Sequence, residues 1–130
     1  DALAAIEGYL DASLVLLADP SGSFEPLAAV SVGSALGAAE AQALEFADLQ
    51  ARISGRSQIE TIAVTQRSLD ADPPTVVVTA CLDDSGVTVY TLENPDGTAT
   101  PRRNQEVFTV VYDGSAWKVS ERTFADEPNC

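Results

Sequence analysis

Cys81 and Cys130 are the two residues whose type and placement most clearly specify chemistry. Cys81 lies in Thr75-Val76-Val77-Val78-Thr79-Ala80-Cys81-Leu82, a β-branched and apolar run, and Cys130 is the last residue. A free terminal thiol would be exposed and oxidisable. A cysteine that reaches back to a strand instead ties down a tail that would otherwise fray. The expectation is a Cys81–Cys130 disulfide, whose long loop stabilises by roughly 4 kcal/mol on the chain-entropy argument. Such a bridge persists only where conditions are oxidising, which places the protein outside the cytoplasm, secreted or lipid-anchored to the cell envelope. Two cysteines without a histidine do not make a metal-ligand set, so neither a metal nor another cofactor is expected.

The remaining catalytic chemistry is narrow. With no histidine, Ser-His-Asp and Cys-His arrangements are impossible and the commonest general base is missing. No Gly-rich phosphate loop, HExxH or CxxC spacing occurs. Isomerase-type chemistry survives, in which a carboxylate takes a proton beside a carbonyl and a Tyr hydroxyl holds the oxyanion. Tyr9 and Asp48 are its candidates, yet Tyr9 lies at the edge of an apolar stripe near Glu7 and Asp11. Asp48 falls near Glu45 on a face that reads as wet. Asp83-Asp84 sits in a turn and lacks the further oxygen ligands of a calcium loop. Phe46, Tyr90, Phe108 and Trp117 are the candidate lining of a pocket for an apolar ligand, with ordinary core as the alternative. Arg67 and Arg122 stand in strand-like segments, where they can pair with acids across a sheet.

The elements that must position these residues follow from periodicity. Leu3, Ile6, Leu10, Leu14 and Leu17 recur at three- and four-residue steps and predict a helix over 2–18, stopped by Pro20-Ser21-Gly22. Ser23 and Pro26 open a short second helix. Ser34 reads as the N-cap of a third over 35–54, with Leu36, Ala39, Ala43, Phe46 and Ile53 inward and Gly55 as its stop. Its many alanines suggest a close neighbour. After residue 57 the period changes to two, and strands are expected over 58–68, 75–82, 87–93, 105–113 and 116–124. Asn94 to Arg103 is a loop carrying Pro95, Gly97, Pro101, Arg102 and Arg103, a basic spot that is either a partner contact or a hairpin tip. Residues 125–130 read as a tail. The fold class is α+β, with three N-terminal helices packed on a curved, mostly antiparallel sheet of about five strands.

Length and charge bound the partners. The 130 residues fit one domain, 1–130, with enough chain to bury a real core. The net charge of −13 is spread almost evenly over both halves, and only one Lys and six Arg are present. Phosphate binding needs clustered cations, so nucleic acid and anionic membrane are excluded as partners. No run reaches the roughly 20 apolar residues of a membrane-spanning helix. A chain opening at Asp1, without Met, directly into a helix implies a removed upstream segment. A signal peptide with a lipid-anchoring cysteine would fit.

The order of a long, a short and a third helix opening at Gly33-Ser34-Ala35-Leu36, then an antiparallel sheet, resembles the nuclear transport factor 2-like superfamily of cone-shaped folds. That superfamily includes ketosteroid-isomerase-type and polyketide-cyclase-type enzymes. Ala80-Cys81-Leu82-Asp83-Asp84, the closing Trp117-Lys118-Val119 and the terminal Cys130 resemble exported proteins and lipoproteins of actinobacteria, in which a strand Cys and a C-terminal Cys look like a bridge pair. The resemblance implies a pocket between sheet and helices, used in some members for small apolar molecules and in others for dimerisation through the sheet or docking.

Two functions follow. The first is a non-catalytic module outside the cytoplasm that binds a small apolar ligand or an envelope protein. The second is an isomerase- or cyclase-type enzyme. An empty apolar hollow between sheet and helices favours a ligand; a packed one disfavours both ligand and enzyme.

Overall fold

The computed structural model describes residues 1–99 and 102–130. Helix α1 spans Ala2–Ala18, with Asp1 as its N-cap: the Asp1 carboxylate accepts from the Ala4 amide at 2.8 Å. Helix α2 is the short Glu25–Ala28, with proline in its first turn. The segment after it runs onto the sheet. Val119 N–H donates to the Val30 carbonyl and Val32 N–H to the Val119 carbonyl, both at 2.9 Å. Helix α3 then spans Gly33–Asp48. Its N-cap position is Val32 rather than Ser34, whose hydroxyl instead donates to the Ser120 carbonyl at 3.1 Å.

The strands are β1 (Arg52–Ser54), β2 (Gln58–Ser68), β3 (Thr75–Asp83), β4 (Thr88–Tyr90), β5 (Thr98–Ala99), β6 (Arg103–Tyr112) and β7 (Trp117–Asn129). Among the described residues they form two antiparallel sheets, β2-β3-β6-β7 and β1-β4-β5, and no closed barrel. The expected α+β class and three leading helices are present, but the single sheet of about five strands becomes seven strands in two sheets. Two segments account for the added strands, and a third lengthens an expected one. The end of the expected third helix is β1, because α3 stops at Asp48 and Gln50 takes a left-handed φ of 53°. The Asn94–Arg103 loop carries the two-residue β5; its Pro101 lies outside the described residues. The expected tail is the end of β7.

One core joins the layers. Val76, Val78, Ala80 and Leu82 of β3, Phe108 and Val110 of β6 and Val119 of β7 face Ile6, Leu10 and Leu17 of α1, Leu27 of α2 and Ala35, Ala39 and Ala43 of α3. The alternation in β3 is the reason for its burial pattern: every second side chain from Val76 points into this core. Small residues on α3 let that helix approach closely. At the rim, Gly55 has φ 86°, and a Cβ there would stand 1.8 Å from the Gly86 carbonyl oxygen. Only glycine permits this contact between the chain leaving β1 and the β3–β4 turn.

Cys81 takes the opposite side of β3. Its side chain is bonded to Cys130 with S–S 2.07 Å and Cα–Cα 6.0 Å. In the sheet, Cys81 is opposite Gln105 of β6, and Asn104 of β6 is opposite Asn129 of β7. The bridge therefore spans β6, tying β3 to the end of β7. It covers Cys81, which is buried yet lies outside the inner core.

Candidate functional site

At one end of the inner sheet face the core gives way to a hollow of about 460 Å³. Leu10, Leu14 and Leu17 of α1 and Phe46 of α3 form its helical wall. Ile53 of β1 with Val87 and Val89 beside and on β4 close another side, so the second sheet acts as a flank rather than as part of the main sheet. The floor is polar: Asn104 and Glu106 come from β6 and Arg122 from β7. Phe124, a large apolar side chain that is 63% exposed, stands at the mouth.

The position of Arg122 depends on one extra residue. Val110 is opposite Val119, but Thr109 is opposite Glu121, which leaves Ser120 as a bulge in β7. A bulge shifts the side-chain phase of the strand that carries it. Val119 faces the core; strict alternation would then send Glu121 inward and Arg122 out. With Ser120 inserted, Arg122 pairs with the inward Phe108 and Phe124 with the inward Glu106. The bulge is held from both sides. Ser120 Oγ donates to the Thr109 carbonyl at 3.2 Å, and the Ser34 hydroxyl donates to the Ser120 carbonyl.

Arg122 Nε donates to Glu106 Oε1 at 2.5 Å, and the guanidinium carbon lies 5.7 Å from the centre of the Phe108 ring. Burial opposes the charge on Arg122, but the Glu106 carboxylate beside it outweighs that and holds its pKa above the ordinary value. Glu106 is 3% exposed, and such a carboxylate is sustainable only when paired. Behind the pair, the Tyr9 hydroxyl donates to the Ala35 carbonyl at 3.0 Å. Burial pushes that hydroxyl up, against the pull of the Arg122 charge. A smaller hollow of about 140 Å³ continues from here between Tyr9, Ala35, Ala38 and Ala39. The α3 alanines leave that space. Toward the mouth, Asp84 accepts from Ser57 Oγ at 2.5 Å, and Arg102 completes the rim. Two buried polar atoms have no hydrogen-bond partner among the described residues, Asn104 Nδ2 and Ser13 Oγ, and both residues line the hollow.

Of the four aromatic residues expected to line a pocket, Phe46 does so. Phe108 is fully buried one layer below, under the Arg122 guanidinium. Trp117 packs edge-on against Tyr112, centroids 5.5 Å apart, and lies partly buried against the core rather than in the hollow's lining. Tyr90 is held from outside, with Arg52 4.1 Å above its ring and Ser54 Oγ donating to its hydroxyl at 3.3 Å. Cys81 and Cys130 do not line the hollow. Tyr9 is buried rather than at an edge, while Asp48 is exposed and is not part of the hollow's lining. Asp83 accepts from the Ser85 amide within its turn, so of the Asp83-Asp84 pair only Asp84 reaches the hollow. No group of three or more Cys, Asp or Glu that could hold a metal occurs among the described residues. Sequence reasoning misses Asn104 and Glu106 entirely. The available signal is a polar residue at alternate positions of an otherwise apolar strand, Asn104-Glu106-Phe108-Val110.

No protein-family model matches the chain, and no curated protein matches it in sequence. Solved structures do share its fold. The intermembrane space region of the chloroplast protein ARC6 superposes with a TM-score of 0.70 at 19% identity, over 95% of each chain. Aln2 from a Streptomyces species superposes with a TM-score of 0.56 at 16% identity, over 95% of this chain and 88% of Aln2. At these identities the likeness is one of fold alone, helices packed on antiparallel sheets. The disulfide points to an oxidising compartment. No helix among the described residues is long and apolar enough to cross a membrane.

Proposed function

We propose that this chain is a non-catalytic binding module, working outside the cytoplasm, whose nuclear transport factor 2-like architecture holds a small, mainly apolar molecule between its helices and its main sheet. The observation that carries this reading is the 460 Å³ hollow, whose leucine, valine, isoleucine and phenylalanine walls are joined by polar groups on the sheet floor, at the rim and at Ser13 and Gln42 of the helices. Ligand sites have this size and composition. At about 30 Å³ per heavy atom, the volume of a water in the liquid, the hollow takes on the order of 15 non-hydrogen atoms. The superfamily assignment rests on the helix order and on the fold-level likeness to Aln2 and ARC6.

The non-catalytic side of the proposal rests on where the reactive groups are engaged. An isomerase-type enzyme needs a carboxylate able to take a proton and a hydroxyl able to give a hydrogen bond to an oxyanion. Here Glu106 is held by Arg122, and the Tyr9 proton is committed to the Ala35 carbonyl. Export to the envelope is supported by the disulfide.

The test is titration with aminoanthracene, an uncharged apolar fluorophore whose emission rises in a dry site. Saturable enhancement is expected for the wild-type protein, weakened roughly tenfold or more in Leu14→Arg, which puts a charge on the apolar wall. A wild-type protein that gives no saturable enhancement refutes the reading.

A further inference from the structure

We propose that the ligand is an uncharged amphiphile, an apolar body carrying a carbonyl, amide or hydroxyl oxygen, and that Asn104 donates to that oxygen. This rests on the pocket reading above and adds the chemistry of the polar end. Three observations lead to it. First, the lining is charge-balanced: Arg122 and Arg102 stand against Glu106 and Asp84. Arg122 is already engaged by Glu106. An arriving carboxylate would sit beside Glu106, and two carboxylates at close range disfavour one another's charge. The field outside works in the same direction, since an anion must approach a protein of net charge −13.

Second, Asn104 is only 8% exposed, faces inward in phase with Glu106 and Phe108, and its Nδ2 has no partner among the described residues. A buried N–H donor without an acceptor is a gap that an oxygen from outside the chain can fill. A ligand ammonium offers only donors and leaves Nδ2 unsatisfied. Third, the remaining unpartnered atom, Ser13 Oγ on α1, is a hydroxyl able to donate or accept, so it adds no demand for charge. The apolar walls and the exposed Phe124 at the mouth then take the body of the molecule.

The experiment displaces bound aminoanthracene with three molecules sharing one tail: decanol, decanamide and decanoate, at about pH 8, where the carboxylate is ionised. Decanol and decanamide are expected to displace the fluorophore at concentrations roughly tenfold below decanoate. Asn104→Leu should shrink that advantage to within about twofold. Glu106→Gln frees the Arg122 charge and should move the preference toward decanoate. Circular dichroism shows whether each variant is folded, and the wild-type ranking decides the matter even if neither is. Decanoate binding as well as or better than decanol in the wild-type protein overturns the headgroup assignment and leaves the pocket reading standing. Absence of fluorophore binding removes the pocket reading and this assignment with it.

Discussion

The inner face of β6 runs from Asn104 and Glu106 at one end to Phe108 and Val110 at the other, four side chains pointing the same way with opposite fates. At the Phe108 end the neighbours are Val78, Val119, Ile6 and Leu27, all at or near zero exposure. At the Asn104 end the neighbours retreat to the walls of a hollow, and the polar groups pair with each other or with nothing among the described residues. Close packing follows from apolar side chains that gain by excluding water. An ion pair and an amide have no such reason to be covered by leucine, so the helices above them stand off. The contrast places close packing at one end of a strand and an open hollow with polar groups at the other.

Truncation of one phenylalanine at each end breaks or sharpens this contrast most strongly. Phe108→Ala removes a fully buried ring and leaves a void among residues that cannot collapse, which costs about 3–5 kcal/mol. Phe46→Ala removes a half-buried ring from a wall that already borders a cavity, so the loss is about 1 kcal/mol. Urea denaturation of both variants measures the difference. Equal losses would mean that the hollow end is as tightly packed as the core.

Next in size is the bridge. Removing it with Cys81→Ala and Cys130→Ala releases a loop with a sequence separation of 49. The cost is roughly 2–4 kcal/mol. Its local effect is uneven. Residues 117–119 of β7 keep a plain register with β6 and the hydrogen bonds to Val30 and Val32. Beyond Phe124 the register breaks again, between Asn104 and Glu106, and the far end depends on Cys130. Hydrogen exchange of the double variant should accelerate at Phe124–Asn129 well before Trp117–Val119. Uniform acceleration along β7 would show that the bridge acts on the whole sheet alike.

Much of the packed end is legible in the sequence, and the hollow end is not. Thr75–Leu82 announces a central strand because apolar and β-branched residues follow one another there. The helix over 2–18 follows from its leucine spacing. The third helix reads too long because Ile53 falls seven residues after Phe46, in helical phase, with no Gly or Pro between them to mark the stop at Asp48. Residue type alone sorts the aromatic side chains, and it cannot tell Phe46 on a wall from Phe108 beneath a floor. Arg122 reads as a surface pair because alternation from Val119 sends it outward, and nothing in Val119-Ser120-Glu121 betrays a bulge. That bulge is fixed by Ser34, eighty-six positions away in the chain. Long-range contacts of this kind are beyond any local pattern.

The turns at the two ends supply the smallest effect. Asp113, at the packed end, accepts from the amides of Ser115 and Ala116 and from Ser115 Oγ, each at 2.9 Å, and Lys118 Nζ stands 3.0 Å from its other oxygen. Those backbone and side-chain donors hold its carboxyl well below the ordinary carboxylate value. Asp83, at the hollow end, is lowered too, by the Ser85 amide and hydroxyl alone. A carboxyl whose pKa is lower folded than unfolded adds stability once the unfolded chain has ionised. That contribution is complete above the ordinary carboxylate range and is lost as pH falls through the lower folded value. Between about pH 4 and pH 2 the wild-type protein should therefore lose stability with acid, and Asp113→Asn, which keeps the turn's acceptor oxygen but cannot ionise, should flatten that loss. Asp83→Asn should flatten it less, because fewer donors surround it. Urea midpoints measured down that pH range decide between them; a larger effect from Asp83→Asn would place the stronger anchoring at the hollow end and reverse the contrast drawn along β6.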